Sequence, residues 1–583
     1  MPRGGRVSRI MDAVQVEAGP TDAGPRRAGP RTWARRLPLL VLAATVIGFL
    51  ALGLAEARSD APTFDEPVYV SSALATVLHH DVDINDEHPP LPKVLAVLPV
   101  LFTHPVVPAN GHWTGNDELG YGARFAAAQL SAGKLRHVTF ASRLVPLAET
   151  VAVAFVLYAL AGELAGPVAG ALAGVLWLAS PLVLGIGHLD GVDVPFSLGV
   201  TLSSWTLLRW LRRRDRRSLI WLGLGLAAAA ETQVTGVLVV AAALVVIVAA
   251  GWRSGVARAL GQAAAAGLIA WAVVWAVYIA VDPAMLRQLP ELIPRPYVNG
   301  ISYLGTHDTT GSTAYIAGIS YTGGRWWFWP LSMVIKWPGA AVALLVAGLV
   351  CCLRLPAGHR LRAALAVGLP LMLLGAFTLA EPKDVGVRYL LPVIAMWIAA
   401  AASGLAAVLA GLSAGVRKRV AASVVAVLLV AAVASTAASF PRSIAWTAWP
   451  FRPGYAVATD SNLDWGQGYY TLRTWSAGRH PWVAYFGPRG ITTASIPGAR
   501  SLLGAAPAHV DGWVAASVSS INSANRPALA WLRAWCPVEV LDGTVLIYHF
   551  SRPPAASPAA STAGPLPSRP AALCPGQWST TRS

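Results

Sequence analysis

Charged residues are scarce in this chain. They make up 13% of its 583 residues, whereas apolar residues make up 55%, and the mean hydropathy is +0.53. A soluble protein carries roughly a quarter charged residues, so the composition excludes an ordinary soluble protein. The run 37–55 has no charged side chain over about the length needed to cross the apolar core of a bilayer. The sequence therefore predicts a polytopic membrane protein.

Cysteine is scarce as well, with four residues in the chain. Cys351 and Cys352 lie at the end of an apolar run on the arginine-rich side, where a reducing cytosol keeps thiols free. Cys536 and Cys574 can pair if their region is extracytoplasmic. The sequence leaves both alternatives open, one disulfide or four free thiols.

Acidic residues are almost absent from one set of loops. Arginine clusters such as "RWLRRRDRRS" and "VRKRV" lie between apolar runs, as is typical of cytoplasmic loops. The net charge of +16 is therefore interpreted as membrane topology, and no nucleic acid partner is expected.

Apolar runs and arginine loops together predict eleven membrane spans, with the N-terminus cytoplasmic and the C-terminus outside. The predicted spans are 37–55, 144–162, 166–187, 194–210, 219–232, 235–251, 259–281, 330–352, 363–380, 389–414 and 420–438. The bias towards Ala, Arg, Gly and Pro suggests a bacterium with GC-rich DNA, so a bacterial plasma membrane is expected.

The domain organisation follows from the same composition shifts. Residues 1–36 predict a disordered cytoplasmic N-terminus, and 37–439 a transmembrane domain with outer loops 56–143 and 282–329. In 440–550, the stretches "GYAVATD", "WVAYFG", "GWVAASVSSI" and "VEVLDGTVLIYHF" predict short strands of an extracytoplasmic α/β domain. Residues 551–583 predict a disordered tail. No internal repeat is visible.

Two outer segments early in the chain carry acid and imidazole. In "TFDEPVY", Asp65 and Glu66 are either a general base with its neighbour or a solvated pair that caps the next helix. In "DINDEHPPLPK", the prolines hold the backbone extended. Glu87 and His88 are candidate metal ligands there, and His88 or Lys93 can meet a phosphate. The alternative is a turn with a proline-capped helix.

Later segments add charges at the outer ends of spans. Asp190 and Asp193 in "GHLDGVDVP" are either functional acids or solvated interfacial ones. Arg388 in "EPKDVGVRYLLP" suits a phosphate, or it is an interfacial arginine that extends towards water. Lys336 lies within an apolar run and needs a partner or a watery cavity.

Together these segments resemble the GT-C superfamily of integral membrane glycosyltransferases. The resemblance is to the family 39 branch, the protein O-mannosyltransferase-like and aminoarabinose-transferase-like enzymes. It rests on "FDEPVY", "EHPPLPK", "SPLVLGIGHLDGVDVP", "YIAGISYTGGRWWFWPLSMVIKWP", "GVRYLLP" and "TDSNLDWGQGYY", which run in family order from about residue 60 to 550. It implies an all-α polytopic GT-C fold with a small C-terminal α/β domain.

The resemblance also implies a reaction. Such enzymes transfer a sugar from a polyprenyl-phosphate carrier to an acceptor hydroxyl outside the membrane, with inversion, and the carrier phosphate leaves. By resemblance Asp65 is the catalytic base, and Glu66 and Asp193 support the acceptor or sugar site. Arg388 is the phosphate cation, with Lys336 behind it.

The resemblance further implies a divalent metal ion bound by Glu87, with His307 as a candidate second ligand. His88 stands where aminoarabinose transferases have a lysine that meets the carrier phosphate. Gln233 lies near the place of a lysine in many relatives, and "WGQGYY" lacks the aspartate that usually follows the glutamine. These departures affect the donor and acceptor contacts.

The expected partners are a polyprenyl-phosphate-linked sugar such as mannose, membrane lipids, and an acceptor that is a protein, a glycan or a lipid. Two alternatives come from other classes: a transporter or flippase for lipid-linked sugars, and an inactive protein that binds them. Transporters place polar groups near the bilayer midplane within repeats. Here the acids gather at one face, which favours the enzyme.

Overall fold

The computed structural model describes residues 32–108, 117–307, 312–380, 383–523, 526–551 and 553. Both predicted disordered termini and Cys574 lie largely or wholly outside these residues, so the predictions of disorder stay predictions. Cys351 and Cys352 are free thiols, as both alternatives for the cysteines require. Cys536 is disulfide-bonded, so the alternative of four free thiols is wrong; Cys574, its predicted partner, lies outside the described residues.

Helices make up most of the described chain. They are α1 (Thr32–Ser59), α2 (Glu66–His79), α3 (Pro90–Leu101), α4 (Glu118–Ser131), α5 (Leu135–Ser142), α6 (Leu144–Ala165), α7 (Pro167–Leu178), α8 (Pro181–Ile186), α9 (Asp193–Arg213), α10 (Arg216–Ala230), α11 (Gly236–Gly251), α12 (Val256–Val281), α13 (Arg295–His307), α14 (Phe328–Lys336), α15 (Gly339–Cys351), α16 (Ala357–Ala363), α17 (Leu369–Ala380), α18 (Leu391–Gly411), α19 (Val416–Ala437), α20 (Tyr469–Ser476) and α21 (Val518–Asn522).

Strands are short and fall in two groups. They are β1 (Thr313–Ile316), β2 (Ile319–Thr322), β3 (Trp482–Ala484), β4 (Arg500–Ser501), β5 (Gly512–Ser517), β6 (Glu539–Leu541) and β7 (Val545–Phe550). β1 and β2 form a hairpin in the second outer loop. The other five form a mixed sheet in the order β4-β3-β5-β7-β6.

By length and composition, seven helical segments in the described residues are able to cross a membrane. They are Arg36–Ser59, Leu135–Ala165, Gly236–Ser254, Val256–Val281, Ala357–Ala380, Val387–Gly411 and Val416–Ala437. Each overlaps a predicted span, so a multi-pass, mostly helical membrane protein is confirmed.

The remaining four predicted spans also fall on helices but do not meet the same criteria. The 166–187 span is broken before Pro181, and the 330–352 span before Gly339. α10 has 15 residues, and α9 carries a polar face and terminal arginines. The count of eleven therefore stays a prediction.

α18 lies at the centre of the helical region. It packs against α6, α7, α9 and α15, and its alanine-rich surface lets these helices approach closely. The short turn Val387–Leu390 precedes it directly. A central, rigid helix thus fixes the position of Arg388.

The C-terminal sheet matches three of the four predicted strand regions. "WVAYFG", "GWVAASVSSI" and "VEVLDGTVLIYHF" contain β3, β5 and the β6–β7 hairpin. The strand prediction for "GYAVATD" is wrong: this stretch begins with a 3-10 turn, Gly454–Ala456. The Gly454 carbonyl accepts hydrogen bonds from the N–H groups of Val457 and Ala458, so the first half of the stretch closes a turn. The second half forms an isolated β-bridge, Ala458 to Ile316 at the end of β1, rather than a strand.

Candidate active site

Arg388 lies between two carboxylates that come from distant parts of the chain. Its Nη1 donates to Asp193 Oδ2 at 3.0 Å, and its Nη2 donates to Asp65 Oδ2 at 3.2 Å. Asp65 immediately precedes α2, and Asp193 begins α9. The structure therefore brings together three residues that sequence analysis had selected separately.

The surroundings of Asp65, Asp193 and Arg388 can be compared with the alternatives in which these residues cap a helix or are solvated at the interface. The Asp65 side chain makes no capping hydrogen bond to α2. Asp190, Asp193 and Arg388 are all buried, which does not fit solvated acids or an arginine that extends into water. Buried charges of this kind need partners, and Arg388 and Asp193 supply them to each other.

Aromatic rings hold the guanidinium of Arg388 in place. Its Cζ lies 4.3 Å from the centroid of the Trp465 ring and 4.6 Å from that of Tyr389. Nη2 also donates to the Tyr389 hydroxyl at 3.2 Å. Stacking on aromatic faces is characteristic of arginine rather than lysine. The two rings therefore define the orientation of the Arg388 guanidinium.

A cavity of about 360 Å³ opens beside Asp65 and Arg388. Its ionisable lining residues are Asp65, Tyr69, Glu87, His88, Glu118, Tyr303, Lys383, Arg388, Tyr389 and Asp460. Apolar side chains such as Phe64, Trp465 and Phe486 complete the wall. Such a mixture of apolar walls and converging charges is typical of a ligand-binding cavity.

Burial raises the pKa of Asp65 above its ordinary value. Arg388 opposes this effect, while the negative charges of Glu87 and Asp193 add to it. A carboxylate with a raised pKa binds a proton more strongly than a solvated one and is better suited to act as a general base.

Glu66 faces a different partner. Arg143 grips it with two hydrogen bonds of 2.7 Å, from Nε to Oε1 and from Nη2 to Oε2. Backbone N–H groups of Thr63 and Asp190 also donate to the carboxylate. Burial alone would raise the pKa of Glu66, but Arg143 and these hydrogen bonds lower it. Glu66 therefore holds the backbone at Thr63 and Asp190, and its predicted support of the acceptor or sugar site stays a prediction.

Lys93 holds the backbone of the "DINDEHPPLPK" segment through hydrogen bonds. The Nζ of buried Lys93 donates to the Asn85 carbonyl at 2.5 Å, to Asn85 Oδ1 at 2.8 Å and to the His88 carbonyl at 2.8 Å. These three bonds use all three donors of the ammonium group. Lys93 thus holds the loop, and the phosphate contact predicted for it stays a prediction.

Lys336 and His88, the other two residues predicted to lie behind or at the carrier phosphate, are also buried. Lys336 Nζ donates to the carbonyls of Ile444 and Trp446 at 2.7 and 2.6 Å, so it ties α14 to the start of the C-terminal region. The His88 ring lies 5.9 Å from the Tyr69 ring. Burial, and then the charge of Lys93, lower the pKa of His88 to about 3.

The predicted metal ligands are only partly described. Glu87 lines the cavity, and its Oε1 lies 3.9 Å from His88 Nε2. This separation allows both atoms to bind one ion at bond lengths near 2 Å. The side chain of His307 lies outside the described residues. Metal binding by Glu87, with His88 or with His307, therefore stays a prediction.

The "TDSNLDWGQGYY" segment braces the site from the C-terminal region. Asn462 Oδ1 accepts from the Val387 N–H at 2.8 Å, and the Trp465 carbonyl accepts from the Phe64 N–H at 3.0 Å. The residues next to Arg388 and Asp65 are therefore both attached to one stretch. This explains why an outer segment far along the chain belongs with the early motifs.

Sequence analysis missed two contributors. Arg143 was not singled out, although an arginine at the predicted outer end of a span is unusual in a chain whose arginines cluster in the loops predicted to be cytoplasmic. Trp465 was quoted within its motif but not selected, because no sequence signal indicates that its ring lies beneath Arg388.

The fold and the site define a class: a multi-pass membrane protein with a charged cavity built from the segments between helices. Residues 128–279 match the family model described as dolichyl-phosphate-mannose-protein mannosyltransferase. This match confirms the resemblance to GT-C superfamily glycosyltransferases, and the family 39 branch is consistent with it. It covers less than half of the chain and contains Asp193 but not Asp65 or Arg388. No curated protein matches the chain.

Solved structures show more distant likenesses. Apo ArnT from Cupriavidus metallidurans is 14% identical, with 66% of this chain and 61% of that chain covered and a TM-score of 0.41. The apo oligosaccharyltransferase from Archaeoglobus fulgidus is 14% identical, with 77% and 59% covered and a TM-score of 0.43. The Saccharomyces cerevisiae Pmt1-Pmt2 complex is 15% identical, with 49% and 40% covered and a TM-score of 0.29.

Proposed function

We propose that this protein is a glycosyltransferase that moves a sugar, mannose or a similar one, from a polyprenyl-phosphate carrier to an extracytoplasmic acceptor hydroxyl with inversion. The observation that carries the proposal is the Asp65–Arg388 contact of 3.2 Å at a cavity wall. It supplies the two groups that the reaction needs, a base for the hydroxyl and a cation for the leaving phosphate.

Asp65 is the base. The acceptor O–H transfers its proton to the Asp65 carboxylate while the oxygen attacks the anomeric carbon of the sugar. The bond from that carbon to the phosphate oxygen breaks, and the carrier phosphate leaves with the electron pair. The raised pKa of Asp65 supports this role because it strengthens proton uptake.

Arg388 holds the carrier phosphate. In the structure its guanidinium is shared between Asp65 and Asp193. An incoming phosphate brings negative charge that competes for the guanidinium. The aromatic contacts with Trp465 and Tyr389 keep the cation in place during that exchange. Asp193 then supports the sugar or acceptor side.

The same proposal includes the setting of the reaction. The cavity lies on the side opposite the arginine-rich loops, so by the positive-inside rule it faces away from the cytoplasm. The donor reaches it from the membrane, and the acceptor is a protein, a glycan or a lipid outside. A bacterial plasma membrane remains the proposed location.

The test uses membranes that contain the wild-type protein or Asp65→Asn, incubated with a panel of labelled polyprenyl-phosphate hexoses and pentoses. Asp65→Asn keeps the size of the side chain but removes the base, so transfer should fall about 100-fold or more. Asp117→Asn is the matched control, because Asp117 is an exposed acid of the same outer loop that caps α4. It should transfer at the wild-type rate.

Arg388→Lys tests, in the same assay, whether Arg388 holds the carrier phosphate. It retains the charge but loses the planar contacts, and we expect roughly a 10- to 100-fold fall in donor kcat/KM.

Unchanged transfer by Asp65→Asn would show that another group is the base. If the wild type binds donors but transfers none, the protein is an inactive lipid-sugar binder instead.

A further inference from the structure

A second cluster of ligand-type side chains lies at the outer end of α1, away from the cavity lining. Glu56 is in the last turn of α1, Asp60 follows the helix, and His188 follows α8. One potential ligand atom from each side chain lies within 4.8 Å of those of the other two. Among the described residues, no other group of three His, Cys, Asp or Glu side chains converges in this way.

The tautomer of His188 determines which of its ring nitrogens can bind a cation. Its Nδ1 lies 2.9 Å from the Leu184 carbonyl oxygen, which only accepts, so Nδ1 carries the proton. Nε2 is then the ring nitrogen left to meet a cation, and it lies 3.4 Å from Asp60 Oδ2, while Glu56 Oε2 lies 3.9 Å from Nδ1. A positive charge shared by Nε2 and the Asp60 carboxylate, a proton or a metal ion, satisfies both atoms. An N–H donated to a backbone carbonyl is also how metal-binding histidines are commonly oriented.

Two buried polar atoms without hydrogen-bond partners also favour a bound cation in this cluster. The side chains of Glu56 and His188 are fully buried. Glu56 Oε1 accepts from the Ser443 N–H at 3.2 Å and from its hydroxyl at 2.6 Å. Within the described part of the chain, neither Glu56 Oε2 nor His188 Nε2 has a hydrogen-bond partner. A buried carboxylate oxygen left in this way is costly unless a cation meets it.

We propose that Glu56, Asp60 and His188 bind one divalent transition-metal ion of the Zn²⁺ or Mn²⁺ type. One imidazole nitrogen with carboxylate oxygens suits these ions, whereas Mg²⁺ and Ca²⁺ prefer oxygen ligands alone. Two carboxylates balance the charge of the ion. Asp60 is 14% exposed, which leaves room for a water ligand and for the ion to enter.

The role of this ion is structural. It joins the end of α1 to the loop that leads to Asp193, and Glu56 adds Ser443 at the start of the C-terminal region. Arg143 links the cluster to the site, because its Nη1 donates to the Asp60 carbonyl at 2.8 Å while the same guanidinium grips Glu66. The ion therefore positions the backbone beneath the cavity and does not touch the reacting atoms.

The test measures metal in protein without a histidine tag, equilibrated with Zn²⁺ or Mn²⁺ and then dialysed. We expect about one ion per chain at this cluster, measured by mass spectrometry as the difference between the wild type and the cluster variants, a Tm that falls when EDTA removes it, and recovery when the metal returns. Glu56→Gln and His188→Ala should lose the ion. The surface variants Glu291→Gln and His137→Ala are matched controls and should keep it.

Glu87→Gln separates this site from the cavity, and it should also keep the ion. Loss of the ion in Glu87→Gln together with its retention in Glu56→Gln would overturn the proposal. So would wild-type protein that binds neither metal and whose Tm ignores EDTA, because shared protons would then hold the cluster. If the cluster variants do not fold, Mn²⁺ electron paramagnetic resonance on the wild type detects the bound ion directly.

Discussion

His88 stands where the resemblance places a lysine that meets the carrier phosphate, yet its surroundings keep it uncharged. The side chain is buried against Tyr69, and burial and then Lys93 lower its pKa to about 3. A neutral imidazole donates or accepts a hydrogen bond but offers no charge to a phosphate. At the scale of single residues, this leaves Arg388 as the best placed of the residues predicted to contact the phosphate.

The lowered pKa of His88 predicts a dependence of stability on pH. The unfolded chain takes up a proton on this histidine near pH 6.5, whereas the folded protein does so only near pH 3. Stability is therefore lost as the pH falls from 6.5 towards 3. By pH 5 the loss should be on the order of 2 kcal/mol.

His88→Gln removes this group, so its Tm should fall less than that of the wild type between pH 7.5 and pH 5 in detergent. His137→Gln changes an exposed histidine and should follow the wild type. Equal falls in all three proteins would mean that His88 is charged in the folded state.

The ends of several helices are held together by the pair of Glu66 and Arg143. Arg143 lies just before α6, and Glu66 begins α2. Besides the carboxylate, the guanidinium donates to the carbonyls of Ala57, Asp60 and Ala61 after or near the end of α1. At the scale of elements, one buried ion pair fixes the start of α2 and hence the position of Asp65.

Breaking this pair should destabilise the protein strongly. Glu66→Gln leaves the Arg143 charge buried without its counterion, and we expect a loss of roughly 3–5 kcal/mol, seen as a lower Tm in detergent. The double variant Glu66→Gln with Arg143→Met removes both charges and should recover part of the Tm. Glu291→Gln removes an exposed partner of Arg295 and should cost at most about 0.5 kcal/mol. Equal Tm values for Glu66→Gln and wild type would contradict the clamp.

The helices of the membrane region were predictable because long apolar runs have few alternatives. "GYAVATD" was not, because short apolar stretches do not determine whether the backbone pairs with a strand or closes a turn. Sidedness and resemblance were enough to select the individual candidates, whose catalytic roles stay predictions. Their pairing was not predictable: Asp65 and Arg388 are 323 positions apart, and only the packing around α18 brings them together.

On the scale of the whole molecule, the arginine clusters and the charged cavity lie at opposite ends of α9 and α18. The loops before α10 and α19 carry arginine clusters, whereas the cavity joins the segments before α2, α9 and α18. Cytoplasmic loops of membrane proteins are enriched in Lys and Arg. The sheet of the C-terminal region should therefore lie outside the cell, on the same side as the cavity.

Cysteine labelling of intact cells tests this orientation. In a background with Cys351 and Cys352 changed to alanine, where Cys536 is disulfide-bonded, Ser501→Cys introduces a thiol on exposed β4, and Ser413→Cys introduces one in the exposed turn before α19. A membrane-impermeant maleimide should label Ser501→Cys in intact cells. It should label Ser413→Cys only after the membrane is opened, because the arginines that follow hold that turn in the cytoplasm. The reverse pattern would invert the topology and place the cavity, with Asp65 and Arg388, on the cytoplasmic side.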